Sequence, residues 1–329
     1  MNETMSVPLQ TAEELRQERM LNNLLRDDMK QFIPYLEDDT TTDIAVLDSG
    51  EMIVSHFGTG RCFTDIFIEP YITERIIKAT SSLIEQDIEW NSRFPVLEGV
   101  IPKYKARITG FVRPNVIRPE LQLRMPCKCI YSLEQYVQDK RMTKEQYDVI
   151  IRTIKERGNI IVSGSTGSGK TTCTNAILKK MEEFTPDDNF YIVEDTPELQ
   201  CNARMKTTLW IPKSYAAKAV EESLRFSPDR IIFGEVRSGV VMRELLDAWR
   251  TGHPGNVTTL HANDGKSTLL RIKSMLGTGD IEMANHLADV ISLVVHLKKG
   301  TSGPFVDELF PVTEETDDFL TAIVQNNLG

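Results

Sequence analysis

The chain has 329 residues, 40% of them apolar, with 38 basic and 48 acidic side chains and a formal net charge of -10. That length suggests about two domains, and the apolar content is too high for a disordered chain. The acidic balance and an aromatic content of 7% argue against nucleic acid as the default partner, which calls for clustered cations and stacking rings.

The first element is an amphipathic helix expected over Thr11 to Glu37, where Leu21, Leu24, Leu25, Met29, Phe32, Ile33 and Leu36 fall on one stripe. Alternation from Asp43 to Val54 around Asp48-Ser49-Gly50 predicts a hairpin. Tyr71 to Gln86 has helical period, and Val96 to Leu123 gives short strands broken by prolines. Residues 1–125 therefore read as an α+β N-terminal domain. A linker is placed at 126–142, after Met125-Pro126. Thr143 and Gln146 have capping-box spacing and open the next helix, so the second domain is placed at 143–329. From Gly158 onward strands and helices alternate: Ile160–Ser163, Thr172–Phe184, Phe190–Val193, Tyr215–Arg225, Arg230–Phe233, Val240–Thr251, Val257–Leu260. That order argues for α/β architecture with a mainly parallel sheet.

Five cysteines stand at Cys62, Cys127, Cys129, Cys173 and Cys201. Their number is odd and they form no Cys-x-x-Cys pair, which fits a reducing cytoplasm. Cys127 and Cys129 are expected to share a strand face as packing residues. The longest strongly apolar run, Val290 to Leu297, is too short to span a bilayer, so any membrane contact is expected to be peripheral.

Gly164-Ser165-Thr166-Gly167-Ser168-Gly169-Lys170-Thr171 matches the P-loop pattern, between an apolar strand and a helix that takes in Thr172. Glycines let backbone N–H groups curl around phosphate oxygens, and the helix N-terminus favours negative charge. In that pattern Lys170 reaches the outer phosphates and the Thr171 hydroxyl sits on Mg2+, which points to a nucleoside triphosphate with Mg2+.

Four apolar strand runs end in polar groups: the P-loop, Glu194-Asp195, Gly234-Glu235-Val236-Arg237 and His261. In an open parallel sheet these ends gather around one ligand. Triphosphate hydrolysis needs a held metal, a positioned water and cationic groups. Thr171 and Glu235 suit the metal, Glu194 the attacking water, and His261 the outer phosphate; Glu194 and Glu235 both remain candidates for the base. Asp229 competes with Glu235 for the metal, but six residues of strand separate them by roughly 20 Å, and the end-of-strand rule selects Glu235. His253, in Thr251-Gly252-His253-Pro254-Gly255, either couples nucleotide state to motion or satisfies a turn.

These motifs resemble the Walker A, Asp box, Walker B and His box of the type II/type IV secretion traffic ATPases. They are carried by Gly164–Thr171, Glu194–Leu199, Leu224–Asp229 with Gly234–Arg237, and Thr251–His253 with Thr258–Ala262. Arg107–Pro114 and Leu123–Pro126 resemble the end of the N-terminal domain in the conjugal-transfer branch. The resemblance covers about residues 40–300. It implies ATP in particular as the nucleotide, a RecA-like P-loop domain after a smaller N-terminal domain, a homohexameric ring, and nucleotide in a cleft closed by N-terminal-domain arginines. Arg124 matches that role, with Arg107 and Arg113 as further phosphate-binding candidates. It also implies embedded secretion or conjugation apparatus proteins as partners and a cytoplasmic place at the inner face of the membrane. No cysteine follows Glu235, which sets the chain apart from branches with a four-cysteine zinc module, and no Ala-Ile-Arg-Asn-Leu-like segment marks a retraction motor.

The function expected is therefore a Mg2+-dependent ATPase powering type IV secretion, conjugative transfer or pilus assembly. The alternatives are a hexameric nucleic-acid translocase, a pilus motor ATPase, or a nucleotide-gated scaffold that barely hydrolyses. Direct nucleic-acid binding is not expected.

Overall fold

The structure, a computed structural model, describes residues 11–56, 60–86, 88–126, 131–277, 281–300 and 303–316. Cys127 and Cys129 lie outside them. The chain divides into two compact units, Met1–Lys128 and Cys129–Gly329.

The first unit opens with α1 (Ala12–Asp27) and α2 (Ile33–Glu37), not with one continuous helix. The break has a local cause. Pro34 sits in the first turn of α2, where its missing N–H is harmless; within a continuous helix it would remove a hydrogen bond and clash with the preceding turn. Strands β1 (Thr41–Val46), β2 (Glu51–His56) and β3 (Gly60–Phe67) precede α3 (Pro70–Leu83), and β4 (Val96–Ile101), β5 (Ala106–Phe111) and β6 (Glu120–Arg124) follow. They form one antiparallel sheet in the order β3-β2-β1-β6-β5-β4. Ile44, Val46, Met52, Val54, Ile108, Leu121 and Leu123 bury one face in a core shared with Leu24, Met29, Phe32 and Leu36 of the leading segment and Ile76 and Ile77 of α3. The other face, where alternate strand neighbours point, carries Asp43, Arg107, Thr109, Gln122 and Arg124 together with the exposed rings of Phe63 and Phe67.

The second unit begins earlier than its expected start at 143. Helix α4 (Leu133–Gln138) occupies the stretch assigned to a linker, with a Ser132/Gln135 capping box, and buries Leu133 and Tyr136. The expected Thr143/Gln146 capping box opens α5 (Lys144–Lys155). The order continues β7 (Ile160–Gly164), α6 (Lys170–Phe184), β8 (Asn189–Glu194), β9 (Met205–Trp210), α7 (Ala216–Ser223), β10 (Arg230–Phe233), α8 (Gly239–Arg250), β11 (Val257–Leu260), α9 (Gly265–Leu276), α10 (Ile281–Asn285), β12 (Leu293–Gly300) and β13 (Gly303–Pro311). The sheet runs β13-β12-β7-β11-β10-β8-β9. All neighbours are parallel except the β12/β13 hairpin. One face packs on α7, α8 and α9 and the other on α4, α5 and α6, so β7, β10 and β11 are buried throughout, as double-sided parallel strands must be.

At the N-terminal end of these strands a buried polar knot pins the sheet. The Arg230 side chain is fully buried, and its Nε donates to Asp188 across 2.7 Å while Arg157 donates to the same carboxylate across 2.6 Å. Asn256 donates to Asn159 Oδ1 at 2.9 Å and accepts from the Ile231 N–H at 2.6 Å. Asp229 accepts from the Asn189 N–H at 2.8 Å, and His253 Nδ1 donates to the Pro228 carbonyl at 2.8 Å. Both residues therefore sit at the pole away from the P-loop, and His253 satisfies a turn.

Candidate active site

The four polar strand ends do gather. β7, β11, β10 and β8 are consecutive neighbours and parallel, so their C-terminal ends lie along one edge of the sheet. The P-loop leaves β7 and enters α6 at Gly169, whose left-handed backbone (φ +83°) suits glycine, and a Cβ there would lie 2.7 Å from Pro304 near the turn end of the β12/β13 hairpin. Ser165, Thr166 and Gly167 are exposed at the loop crest, and no acidic residue occupies the first turn of α6, leaving its N-terminus open to an anion.

Lys170 is buried, and its amine donates to the carbonyls of Gly164 at 3.1 Å and Ser165 at 3.0 Å. Burial lowers its pKa, opposed by the charges of Glu235 and Glu198. Its Nζ also lies 3.2 Å from His261 Nδ1. On the far side of that ring, Nε2 lies 2.6 Å from Glu235 Oε1. The contact is close but off the line of a hydrogen bond, so this buried oxygen has no donor aligned on it. Arg237 Nε donates to Glu235 Oε2 at 2.9 Å, and the same guanidinium pairs with Asp195. Ser168 Oγ, also buried in the loop, has no partner either. Two orphaned polar atoms beside a P-loop fit a site that completes its hydrogen bonds with a metal's waters and phosphate oxygens.

Glu194 stands differently from its expected place at the water. Its side chain is 3% exposed. Oε2 accepts from the N–H groups of Glu198 at 3.0 Å and Leu199 at 2.9 Å, and Oε1 from the Trp210 indole at 3.2 Å. Burial pushes its pKa up to about 7 despite these donors. The carboxylate that meets the P-loop helix is Glu198, whose Oε2 accepts from Thr171 Oγ1 at 3.0 Å. Thr172 is half-buried in the same first turn. A cavity of about 480 Å3 opens beside the loop, lined by Ser165, Thr166, His261, Asn263, Ser267 and Arg271.

The three arginines belong to the first unit. Arg107 and Arg124 are cross-strand neighbours on the polar face of its sheet, where they line a groove of about 200 Å3 with Thr109 and Gln122. Arg124 Nε donates to Asp43 at 3.2 Å. Arg113 stands apart from that pair, in the turn after β5, donating to the Ile117 carbonyl at 3.1 Å.

A P-loop on an inner strand of a mainly parallel sheet, with lysine, histidine and carboxylates at neighbouring strand ends, defines a P-loop nucleoside triphosphatase. The chain belongs to the Type II/IV secretion system protein family, whose sequence model matches residues 99–317. It is 32% identical to the conjugal transfer protein TrbB of Rhizobium radiobacter over 302 residues, covering 91% of this chain and 92% of that one. Its fold is similar to that of the pilus retraction motor PilT with bound ADP (TM-score 0.66, 18% identity, 93% of this chain and 87% of that one). It is similar also to the ATPase DotB of Legionella pneumophila (TM-score 0.62, 18% identity, 98% and 89%).

Proposed function

We propose that the chain is a Mg2+-dependent ATPase that powers type IV secretion or conjugative transfer as a homohexameric ring motor, its second unit being a RecA-like ATPase domain. The observation that carries the hydrolytic reading is the unbroken line Lys170–His261–Glu235 across adjacent strand ends, 3.2 and 2.6 Å per step. Lys170 is held by loop carbonyls and exchanges them for the outer phosphates of ATP. Thr171 and Glu235 hold Mg2+, which neutralises charge on the β- and γ-phosphates when bound. Glu198 and Glu235 flank the place of the attacking water; Glu194, saturated by three N–H donors, shapes the loop that presents Glu198. His261 bears on the γ-phosphate from beside Lys170, and Arg237 fixes the rotamer of Glu235. Arg107 and Arg124 form a forked pair suited to phosphate oxygens.

The relatives' names support secretion and conjugation as the setting, with apparatus proteins as partners. Among the described residues no helix is long and apolar enough to cross a membrane, in keeping with peripheral attachment at the inner face. Phosphate release from ATP, measured with and without DNA, tests the reading. Turnover that needs Mg2+, is indifferent to DNA and is abolished by Lys170→Ala supports it. Turnover that depends on DNA would replace it with a translocase.

A further inference from the structure

We propose that Trp210 is a positioning residue for hydrolysis, acting on the phosphate site through Glu194 and the turn that follows it. The inference rests on the ATPase reading above. Trp210 ends β9, the edge strand of the sheet, and stands level with Glu194 in the parallel register of β8 and β9. The residue is 55% exposed, an unusual place for so large an apolar ring, yet its N–H points inward to Glu194 Oε1 across 3.2 Å. An indole offers one donor and no acceptor, and a buried carboxylate oxygen requires a donor. The two needs meet in this bond.

The path continues inward without a gap. Glu194 Oε2 holds the backbone N–H groups of Glu198 and Leu199, so the rotation of one carboxylate fixes the turn. The turn aims the Glu198 side chain, which receives the Thr171 hydroxyl at 3.0 Å. Asn175 of α6 clamps the same turn from below, donating to the Glu198 carbonyl at 3.0 Å. Gly234, just past the end of β10, leaves Glu194 its place: any larger residue there would put a Cβ 3.0 Å from the Glu194 Cβ. Trp210 therefore sets, at two removes, where Glu198 stands relative to the first turn of α6. Trp249 makes the contrast: it is buried in the core and donates to the Ile231 carbonyl at 3.1 Å, a packing residue whose bond leads nowhere near the phosphates.

The test uses the full-length chain with Trp210→Phe, which keeps an aromatic ring and removes only the donor. A ring that merely covers the sheet edge is served equally well by phenylalanine. Positioning predicts that kcat for ATP per folded molecule falls roughly ten- to a hundredfold, as for a displaced catalytic group, while KM stays within about twofold and the melting temperature drops by no more than the few degrees that one lost buried hydrogen bond costs. Indole emission gives a second readout. ATP with Mg2+ should change the emission of the wild-type chain, and the change should be absent from the variant. A variant kcat equal to wild type, a loss of kcat only in step with a lower melting temperature, or an emission change that survives the substitution overturns the proposal. Should the variant fail to fold, a wild-type emission that ignores nucleotide overturns it. A wild-type chain that binds ATP and releases no phosphate sinks the ATPase reading instead, so the two failures are distinguishable.

Discussion

Glu235 and His261 meet at the ends of neighbouring parallel strands, with His261 Nε2 2.6 Å from Glu235 Oε1 and Nδ1 turned to Lys170. The same Nδ1 also lies 3.2 Å from the Gly164 carbonyl of the P-loop. The three side chains then act as a unit.

The two members of that contact should show strong coupling. Glu235→Gln should retain ATP and slow hydrolysis by on the order of a hundredfold or more. His261→Ala alone should slow it about tenfold, and the double variant should be scarcely worse than Glu235→Gln, because residues of one network are not additive. Steady-state kinetics on the three variants give the cycle; additive losses would separate the two residues.

Glu194 and Glu198, four positions apart, should both lower turnover when changed but differ in what they cost the fold. Glu198→Gln should lower turnover steeply and leave the melting temperature almost unchanged, because its partner Thr171 also has water within reach. Glu194→Gln presents an amide where one oxygen now holds two backbone N–H groups. It should lower the melting temperature by several degrees, the equivalent of about 1–3 kcal/mol for a disturbed buried hydrogen bond. Thermal melts paired with phosphate release separate the glutamate that serves chemistry alone from the one that also holds the fold.

The knot at the other pole sets stability. Burial would raise the pKa of Asp188, but hydrogen bonds from Thr185 and Arg157 and the charge of Arg230 outweigh it and hold the carboxylate below its ordinary range. A carboxylate lowered by folding contributes stability above its unfolded pKa of about 3.9, and that contribution is lost as pH falls through the folded value. Asp188→Asn leaves Arg230 buried without its counter-charge and should cost about 3–5 kcal/mol. Denaturant titrations should show that cost at pH 7 and a gap to wild type that narrows toward pH 3.

Arg124 pairs with Asp43 through a side chain that is 54% exposed, and a bridge of that kind is worth under about 1 kcal/mol. Arg124→Ala should therefore leave the nucleotide-free melting temperature nearly unchanged while lowering turnover and the stabilisation conferred by ATP. A lower melting temperature with normal turnover would make Arg124 a strand residue only.

Much of this was readable in the sequence, for identifiable reasons. β10 and β11 stand at their predicted positions because apolar runs bounded by polar residues are the mark of buried parallel strands. The choice of Glu235 over Asp229 holds geometrically, since Asp229 is tied to Asn189 at the far pole. Glu198 escaped notice because it lies in a turn, where no periodicity singles out a residue; only the Thr171 hydroxyl gives it away. Helix α4 was hidden in six residues, too few for a period, although its Ser132/Gln135 box has the spacing used to find α5. Strand β9 was missed because Met205, Lys206 and Thr208 are exposed, which weakens the alternation that marks a strand. Arg113 was grouped with Arg107 and Arg124 through the family resemblance of Arg107–Pro114, but it follows β5 and stands off the sheet, bonded to the Ile117 carbonyl.

The phosphate loop rests on a floor made last. β7 lies between β12 and β11, both later in the chain, and Gly169 sits against Pro304. A ribosome that has finished the glycines at 164–169 has yet to make the strands that hold them, so such long-range pairing must wait. A nascent chain halted at residue 290 should bind no nucleotide, whereas one extended to residue 316 should. The loop's support is thus assembled after the loop itself, so nucleotide binding is expected to wait for β12 and β13.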